Sequence, residues 1–207
     1  RMKRGEVRPG SAWALVTGAG SGIGRCYALR LAALGYRLVI VGNNAAPLEA
    51  VAGEIRRAAG ANASASFPEV RVMPMDLARV GAAQELHDRT AAEGIEIDVV
   101  INNAGIFSFC AILTTPAERI ERIILLHDLT VSQLCRLYAA DMVRRGVRGH
   151  ILNMSSYSLW MPFPGLALYS ASKAYMRSFS VAFAKEVRDR GIRVTAVCPA
   201  GVATDLY

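Results

Sequence analysis

The sequence predicts an α/β fold, in which helices cover both faces of a doubly wound parallel sheet. Short apolar stretches alternate with longer segments of helical periodicity along the chain. The apolar stretches contain few polar residues, which is typical of parallel strands buried on both faces. At 207 residues without a linker or repeat, the chain suits one domain with a sizeable core. We therefore predict a single domain over residues 1–207, with residues 1–10 as a flexible lead-in.

The predicted elements follow one another as strand and helix. Strands are predicted over 12–17, 37–41, 70–75, 99–102, 150–154 and 193–198, and helices over 23–34, 47–59, 80–92, 118–145 and 170–190. Pro47 suits a first helical turn, whereas Gly35, Gly60 and Gly191 suit helix ends. Right-handed crossovers between such strands place a ligand crevice at their carboxyl ends.

The first strand leads into a glycine-rich turn. Residues Thr17 to Gly24 contain four glycines in eight positions and precede a helix. Glycines let the backbone approach a pyrophosphate closely, and the N-terminus of the next helix offers free N–H groups and a positive dipole end. This context predicts a phosphate-binding loop rather than a merely flexible turn.

A tyrosine and a lysine lie one helical turn apart near the end of the chain. Tyr169 and Lys173 rise from the same face of a predicted helix, so their side chains can meet. A nearby ammonium favours the phenolate and lowers the pKa of a tyrosine, which is how a general acid or base is tuned. Ser156, which follows the fifth predicted strand, could then hydrogen-bond a substrate oxygen.

These motifs occur in a fixed order, listed here by position: Thr-Gly-x-x-x-Gly-x-Gly at 17–24, Asn102–Gly105, Ser156, Tyr169 with Lys173, and Pro199–Gly201 through Thr204. In this order the chain resembles the compact, single-domain branch of the short-chain dehydrogenase/reductase family, from about Ser11 to Asp205. The resemblance implies a Rossmann fold and hydride transfer between NAD(P)(H) and a carbonyl or secondary alcohol. It also implies that Ser156, Tyr169 and Lys173 are catalytic.

The resemblance further implies a cofactor site, with Asp76 and Leu77 at the adenine, Asn103 beside a ribose, and Val202 and Thr204 near the carboxamide. Asp76 could equally cap the N-terminus of the following helix. The implied cofactor residues are Gly18, Ser21, Gly22, Ile23, Gly24, Asn43, Asp76, Leu77, Asn103, Ala104, Gly105, Tyr169, Lys173, Pro199, Val202 and Thr204.

Two departures from the family pattern stand out. Many members carry an asparagine in the long fourth helix that helps hold a relay water near the lysine, and this chain has His127 there, or Asp128 with one residue of slippage. We treat His127 as a catalytic candidate, with a partly buried helix residue as the alternative. The chain also stops soon after Thr204, so we expect a C-terminal segment to be missing and the fragment to have weak activity or none.

The end of the second strand bears on cofactor choice. A carboxylate there would bond the ribose 2′-hydroxyl of NAD, and an arginine would attract the 2′-phosphate of NADP. This chain has Gly42, Asn43 and Asn44 instead, with Arg25 nearby. The missing repulsion and Arg25 favour NADP slightly over NAD.

Composition excludes several other classes. The net charge of +7 comes from dispersed arginines without interleaved aromatics, so we expect no nucleic-acid partner. No apolar run approaches the roughly 20 residues of a membrane span, and the cysteines lack metal-like spacing. We expect a cytoplasmic protein that holds no metal and, at full length, forms a homo-oligomer. A cofactor-binding but catalytically quiet regulatory protein is the main alternative, and an isomerase that reuses Tyr169 and Lys173 is the third.

The substrate is encoded less clearly. An aromatic, proline-rich stretch over residues 157–164 lies between the serine and the tyrosine, and Phe107, Phe109 and Cys110 follow the Asn-Asn-Ala-Gly turn. Such side chains suit a large apolar ketone or alcohol, such as an acyl, lipid or steroid-like molecule. Packing in the core or at a subunit interface explains the 157–164 stretch equally well.

Overall fold

The computed structural model describes residues 10–60 and 69–201. Six parallel strands form one sheet in the order β3-β2-β1-β4-β5-β6. The strands are β1 (Trp13–Thr17), β2 (Arg37–Gly42), β3 (Val70–Pro74), β4 (Ile97–Asn102), β5 (His150–Met154) and β6 (Arg193–Val197). The chain winds outward from β1 to β3 and then returns to β4 on the other side of β1. The predicted doubly wound parallel sheet is confirmed.

Helices cover both faces of the sheet. They are α1 (Gly22–Ala33), α2 (Ala45–Gly60), α3 (Ala82–Ala92), α4 (Ala117–Ile124), α5 (Val131–Arg145) and α6 (Ala167–Val187). On one face, α1 and α2 bury Ala28, Leu48 and Ile55 against β1 and β2. On the other face, Tyr138 and Met176 pack on the sheet from α5 and α6. Because both faces are covered, the central strands β1, β2 and β4 are apolar and buried over most of their length, as the sequence pattern indicated, whereas the edge strands β3 and β6 carry the exposed Arg71, Arg193 and Thr195.

A buried ion pair fixes the amino-terminal edge of the sheet. Asp98 on β4 accepts hydrogen bonds from the Trp13 backbone N–H at 3.1 Å and from Arg145 Nη1 at 2.7 Å. Arg145 lies at the end of α5, so the pair ties that helix to β1 and β4. A buried charge is tolerated only when it is paired and hydrogen-bonded, and both conditions are met here.

The helix predicted over 118–145 is continuous but changes its winding in the middle. A wide π-helical turn spans Leu125–Thr130 between α4 and α5. The hydroxyl of Ser132 donates to the Asp128 carbonyl at 2.6 Å, and that of Thr130 donates to the Leu77 carbonyl at 2.8 Å. Single π turns inside α-helices occur frequently at functional sites. Hydrophobic periodicity alone did not reveal this one.

No helix within residues 10–60 and 69–201 is long and apolar enough to cross a bilayer.

Candidate active site

A cleft of about 330 Å³ lies at the carboxyl ends of the strands, beside the point where the strand order reverses between β1 and β4. This is where open parallel sheets bind ligands. The cleft runs from the glycine turn after β1 to the polar residues after β5 and at the start of α6. The residues that line it are Gly18, Gly20–Ile23, Gly42–Asn44, Pro47, Leu48, Met75–Ala78, Asn103–Ile106, Arg122, Leu126, Met154–Ser156, Tyr169, Lys173, Pro199 and Ala200.

The glycine turn is closed so tightly that side chains are excluded at two positions. A Cβ atom on Gly24 would lie 2.1 Å from the Gly18 carbonyl oxygen, and one on Gly18 would lie 2.8 Å from the Ala104 Cα. Gly18 and Gly22 also have positive φ angles of 65° and 50°, which glycine adopts at little cost. The turn therefore brings bare backbone to the N-terminus of α1, as the sequence predicted for a phosphate-binding loop.

Asn103 braces this turn from the neighbouring strand end. Its Nδ2 donates to the Thr17 carbonyl at 3.1 Å and to the Gly18 carbonyl at 3.3 Å. In the other direction, Thr17 Oγ1 accepts from the backbone N–H groups of Asn103 and Ala104, each at 3.0 Å. These bonds join the loop after β1 to the loop after β4, which are the two walls of the cleft at this end.

The structure brings Ser156, Tyr169 and Lys173 to the other end of the cleft. Tyr169 is 7% exposed and Lys173 is 3% exposed, and the Lys173 ammonium lies 5.6 Å from the centre of the Tyr169 ring. Lys173 Nζ donates to the Met154 carbonyl at 2.9 Å, and Ser155 Oγ donates to the Lys173 carbonyl at 2.7 Å. These bonds lock the start of α6 to the end of β5.

Burial changes the acidity of Lys173. Desolvation lowers its pKa to about 8, against a smaller upward influence from the Asp128 carboxylate. Ser156 remains half-buried at the cleft, and its Oγ accepts the Ser158 N–H at 3.2 Å. A hydroxyl that accepts this bond keeps its own proton directed elsewhere, so it can donate to a bound oxygen.

His127 lies behind Tyr169 and is fully buried. Its Nε2 accepts the Ile106 N–H at 2.9 Å, and its Nδ1 lies 2.8 Å from Ser172 Oγ, which donates to the Tyr169 carbonyl at 2.8 Å. Burial and the Lys173 charge hold the His127 pKa well below its ordinary value, so the ring is neutral. Both ring nitrogens are engaged by protein groups. This geometry favours the alternative of a buried helix residue over a histidine that holds a relay water.

Asp76 lies at the far end of the cleft, where the resemblance places adenine. Its Oδ1 accepts the Ala78 N–H at 2.9 Å, and its Oδ2 accepts from Arg122 Nη1 at 2.9 Å. The alternative prediction, that Asp76 caps the N-terminus of the following helix, is wrong, because α3 begins only at Ala82. Asp76 caps a local turn instead. The Arg122 bond and the Ala78 N–H help to hold the pKa of Asp76 below its usual range.

The second strand ends as the sequence indicated, with Asn43 at the cleft and no carboxylate beside it. Arg25, however, is bound to Glu54 on α2 through both its Nε and its Nη2, and it does not line the cleft. Arg25 therefore gives no support to NADP, which is favoured only by the absence of a repelling carboxylate.

Several residues of this site were missed by sequence reasoning. Arg122 lines the cleft from α4, Ser155 fixes the lysine backbone, and Ser172 joins His127 to Tyr169. No local motif marks them, because each acts through a partner far away in the chain. Thr17 carried a signal, since it opens the glycine motif. Val202 and Thr204 lie outside the described residues, whereas Pro199 lines the cleft as predicted.

An apolar rim, defined here as Phe109, Leu113, Trp160, Met161 and Phe163, lies on the loops that follow β4 and β5. Each of these side chains is at least 40% exposed, and Leu113 reaches 97%. The Cys110 N–H donates to the Gly165 carbonyl at 2.8 Å, which joins the two loops. The rim is not core packing within the described part of the chain. Phe107 instead packs edge-on against Tyr169, with ring centres 5.1 Å apart.

Within the described residues, no group of three or more histidine, cysteine, aspartate or glutamate side chains could hold a metal ion.

Comparison with known proteins agrees with this picture. The family model described as short chain dehydrogenase matches residues 12–207. The very-long-chain 3-oxoacyl-CoA reductase of Anas platyrhynchos is 36% identical over 210 residues, covering 98% of this chain and 64% of the relative. "Probable oxidoreductase EphD" of Mycobacterium tuberculosis is 35% identical over 191 residues, 92% of this chain. The chain spans only 31% of the length of that protein.

Among solved structures, the short-chain dehydrogenase from Sphingobium yanoikuyae in complex with NADPH is similar, with a TM-score of 0.85. It is 32% identical, and the match covers 94% of this chain and 73% of that one. The sheet order, the glycine turn and the matched length lead to one assignment. The chain belongs to the short-chain dehydrogenase family.

Proposed function

We propose that this chain carries the cofactor site and catalytic groups of an NAD(P)-dependent oxidoreductase, which interconverts a carbonyl and a secondary alcohol. The observation that carries the proposal is one cleft with two different ends. At one end, the glycine turn presents bare backbone at a helix N-terminus. At the other, a buried tyrosine lies beside a buried ammonium.

The residues present fit a nicotinamide dinucleotide. The close packing at Gly18 and Gly24 holds the turn in shape, and Gly18 and Gly20 to Ile23 line the cleft at the start of α1, where a diphosphate would bind the backbone N–H groups. We assign Asn43, Asp76 and Leu77 to the adenosine half, Asn103 to Gly105 to the central part, and Pro199 to the nicotinamide half. When bound, the cofactor supplies or accepts the hydride. We propose NADP or NAD, and the NADPH complex of the Sphingobium relative supports the former.

The chain's own groups handle the proton and the substrate oxygen. In the reduction direction, the Ser156 hydroxyl donates to the carbonyl oxygen and Tyr169 gives that oxygen its proton. Lys173, held by the Met154 carbonyl, stabilises the phenolate that remains. Positioned acid catalysis of this kind contributes roughly 10²–10⁴-fold in rate.

The apolar rim supports an apolar substrate. Five exposed large side chains, without a single acidic residue on the loops 106–117 and 157–169, would contact an acyl chain or a bulky ketone better than a charged molecule. The name of the Anas relative, a very-long-chain 3-oxoacyl-CoA reductase, supports the same class. The comparisons give no support to a catalytically quiet protein. A cytoplasmic location and a homo-oligomer stay predictions.

The proposal is tested by incubating the purified protein with NADPH or NADH deuterated at the transferable C4 position and a panel of ketones of increasing chain length. We expect deuterium at the carbinol carbon of the product, with long apolar ketones preferred. Tight cofactor binding without deuterium transfer to any ketone would indicate the quiet protein. Conversion of a substrate without net cofactor oxidation would indicate an isomerase.

A further inference from the structure

The π-helical turn carries two consecutive titratable residues beside α6, the helix that carries Tyr169 and Lys173. His127 and Asp128 both lie within Leu125–Thr130, and this turn packs against α6. His127 fixes the contact, since its ring bridges the Ile106 N–H and the hydroxyl of Ser172, the residue before Lys173. The backbone position of Asp128 relative to α6 is therefore determined by its neighbour.

His127 itself cannot exchange a proton with the site. The Ile106 N–H can only donate, so Nε2 must accept and the proton of the neutral ring must be on Nδ1. That proton is donated to Ser172 Oγ, whose own proton goes to the Tyr169 carbonyl. These hydrogen bonds run in one direction, from His127 to Ser172, and end at the Tyr169 carbonyl oxygen. His127 thus holds Tyr169 and Lys173 in register and carries no charge.

Among the described residues, Lys173 is a buried ammonium without an ion-pair contact. It is 3% exposed, and its hydrogen bond in the described chain is to a carbonyl, at Met154. A buried charge is costly unless an opposite charge compensates for it. The negative charge of Asp128 raises the pKa of Lys173, and the positive charge of Lys173 lowers the pKa of Asp128.

Asp128 is also a carboxylate that the fold leaves under-satisfied. Its Oδ1 is buried without a hydrogen-bond partner among the described residues. An orphaned carboxylate oxygen next to a helix that carries a buried ammonium is poorly explained by folding alone, because both groups are costly there. Their mutual attraction offsets part of each cost.

We propose that Asp128 is a positioning residue, which keeps Lys173 protonated at neutral pH while His127 only holds the lysine's helix in place. The consequence for the reaction rests on the proposed function, whereas the charge coupling does not. Three helices around this pair carry other titratable or charged groups: Glu118, Arg119, Glu121 and Arg122 on α4, Cys135, Arg136, Tyr138, Asp141, Arg144 and Arg145 on α5, and Tyr169, Tyr175, Arg177, Lys185 and Glu186 on α6. Arg122 is occupied by Asp76, and Arg119 by the Phe107 carbonyl.

The pH range of the effect follows from the two groups. Partial burial raises the pKa of Asp128 to about 6, so its charge is present above that pH and absent below it. Lys173 has a pKa of about 8, and loss of a nearby negative charge lowers that pKa further. Removal of Asp128 therefore matters between about pH 6 and pH 9, and it has no effect at lower pH, where the wild-type carboxyl is already neutral.

The chain allows a direct test, because it contains only three lysines, Lys3, Lys173 and Lys185. Lysine labelled with ¹³C at Cε gives three NMR signals whose titration can be followed, with K185R to assign one of them. We expect the Lys173 midpoint near pH 8 to fall by about one pH unit in D128N and to be restored in D128E. D141N is the matched control, since Asp141 is a partly buried carboxylate at the opposite end of the adjoining helix, paired with His87 and Arg144.

A second readout uses the holoenzyme. If ketone reduction needs the Lys173 ammonium, the turnover of D128N should equal that of the wild type at pH 6 and be about fivefold lower at pH 8. At pH 8, Lys173 is protonated in about one half of the wild-type molecules but in only about a tenth of the D128N molecules. A Lys173 midpoint that is identical in D128N and the wild type overturns the inference. Wild-type protein without hydride transfer overturns the proposed function alone, since the NMR titration still decides the charge coupling.

Discussion

The glycine turn and the apolar rim are built on opposite principles. At the glycine turn, backbone packs against backbone, and Asn103 and Thr17 tie the two loops together with four hydrogen bonds. At the apolar rim, large side chains such as Leu113 and Trp160 are exposed, and the two loops share the Cys110–Gly165 bond. A ligand that is the same for many enzymes can be met by a rigid, pre-formed wall. A substrate specific to one enzyme is met by side chains that can vary without cost to the fold.

The largest expected effect is at the glycine turn. Gly24→Ala places a methyl group against the Gly18 carbonyl, which cannot move without opening the turn. We expect the Kd for NADPH to rise about 100-fold, as for the loss of one or two charge-assisted hydrogen bonds to phosphate. Fluorescence titration of NADPH measures this. Gly53→Ala is the control, because its methyl group meets only the flexible Arg57 side chain on α2. Equal Kd values for both variants would mean that the turn does not bind the diphosphate.

Removal of the Asn103 side chain should have the next largest effect. Asn103→Ala leaves the Thr17 and Gly18 carbonyls without their donor, which costs roughly 1–3 kcal/mol for a buried group. Urea unfolding measures the loss. Asn44→Ala removes an exposed amide at the start of α2, whose Oδ1 accepts the Ala46 N–H, and the loss of this cap should cost about 1 kcal/mol. Equal losses for the two variants would show that Asn103 does not brace the turn.

A smaller effect is expected at the end of β2, where the sequence did not decide between NADP and NAD. Asn43→Arg adds a cation at the end of β2 and should favour NADPH over NADH about tenfold in kcat/KM. Arg25→Ala should change that ratio less than about twofold, because Arg25 is bound to Glu54 and exposed ion pairs are worth little. A large change in the Arg25 variant would show that this residue leaves Glu54 to bind the phosphate.

The smallest effect on stability is expected at the apolar rim. Leu113→Ser alters a side chain that is 97% exposed, so the free energy of unfolding should change by no more than about 0.5 kcal/mol. If the rim binds the substrate, KM should rise for long-chain ketones and stay constant for short ones. A destabilised variant with unchanged KM values would instead indicate packing of this residue.

Features of the molecule that leave a local signal in the sequence could be predicted. The doubly wound parallel sheet and the cleft at its carboxyl edge could be predicted, because buried parallel strands and a glycine turn leave local signals. The resemblance pointed to Ser156, Tyr169 and Lys173, and the structure brings them to one cleft. The boundaries agreed closely for the strands, and in the central strands both faces of the sheet require apolar residues.

What could not be predicted depends on partners that are distant in sequence. The tautomer of His127 follows from Ile106 and Ser172, and neither contact is visible in a local pattern. The pairing of Arg25 with Glu54 requires the relative placement of α1 and α2. The π turn changes which side chains face α6, whereas hydrophobic periodicity assumes regular winding.

In the proposed function, Tyr169 transfers the proton while other groups bind the cofactor. The most direct measurement compares Tyr169→Phe with the wild type in two assays on the same protein, NADPH binding by fluorescence and single-turnover ketone reduction. We expect a Kd within about threefold of the wild type and a reduction rate at least roughly 100-fold lower, as for the loss of a positioned general acid. A variant that binds NADPH normally and reduces the ketone at the wild-type rate would contradict it.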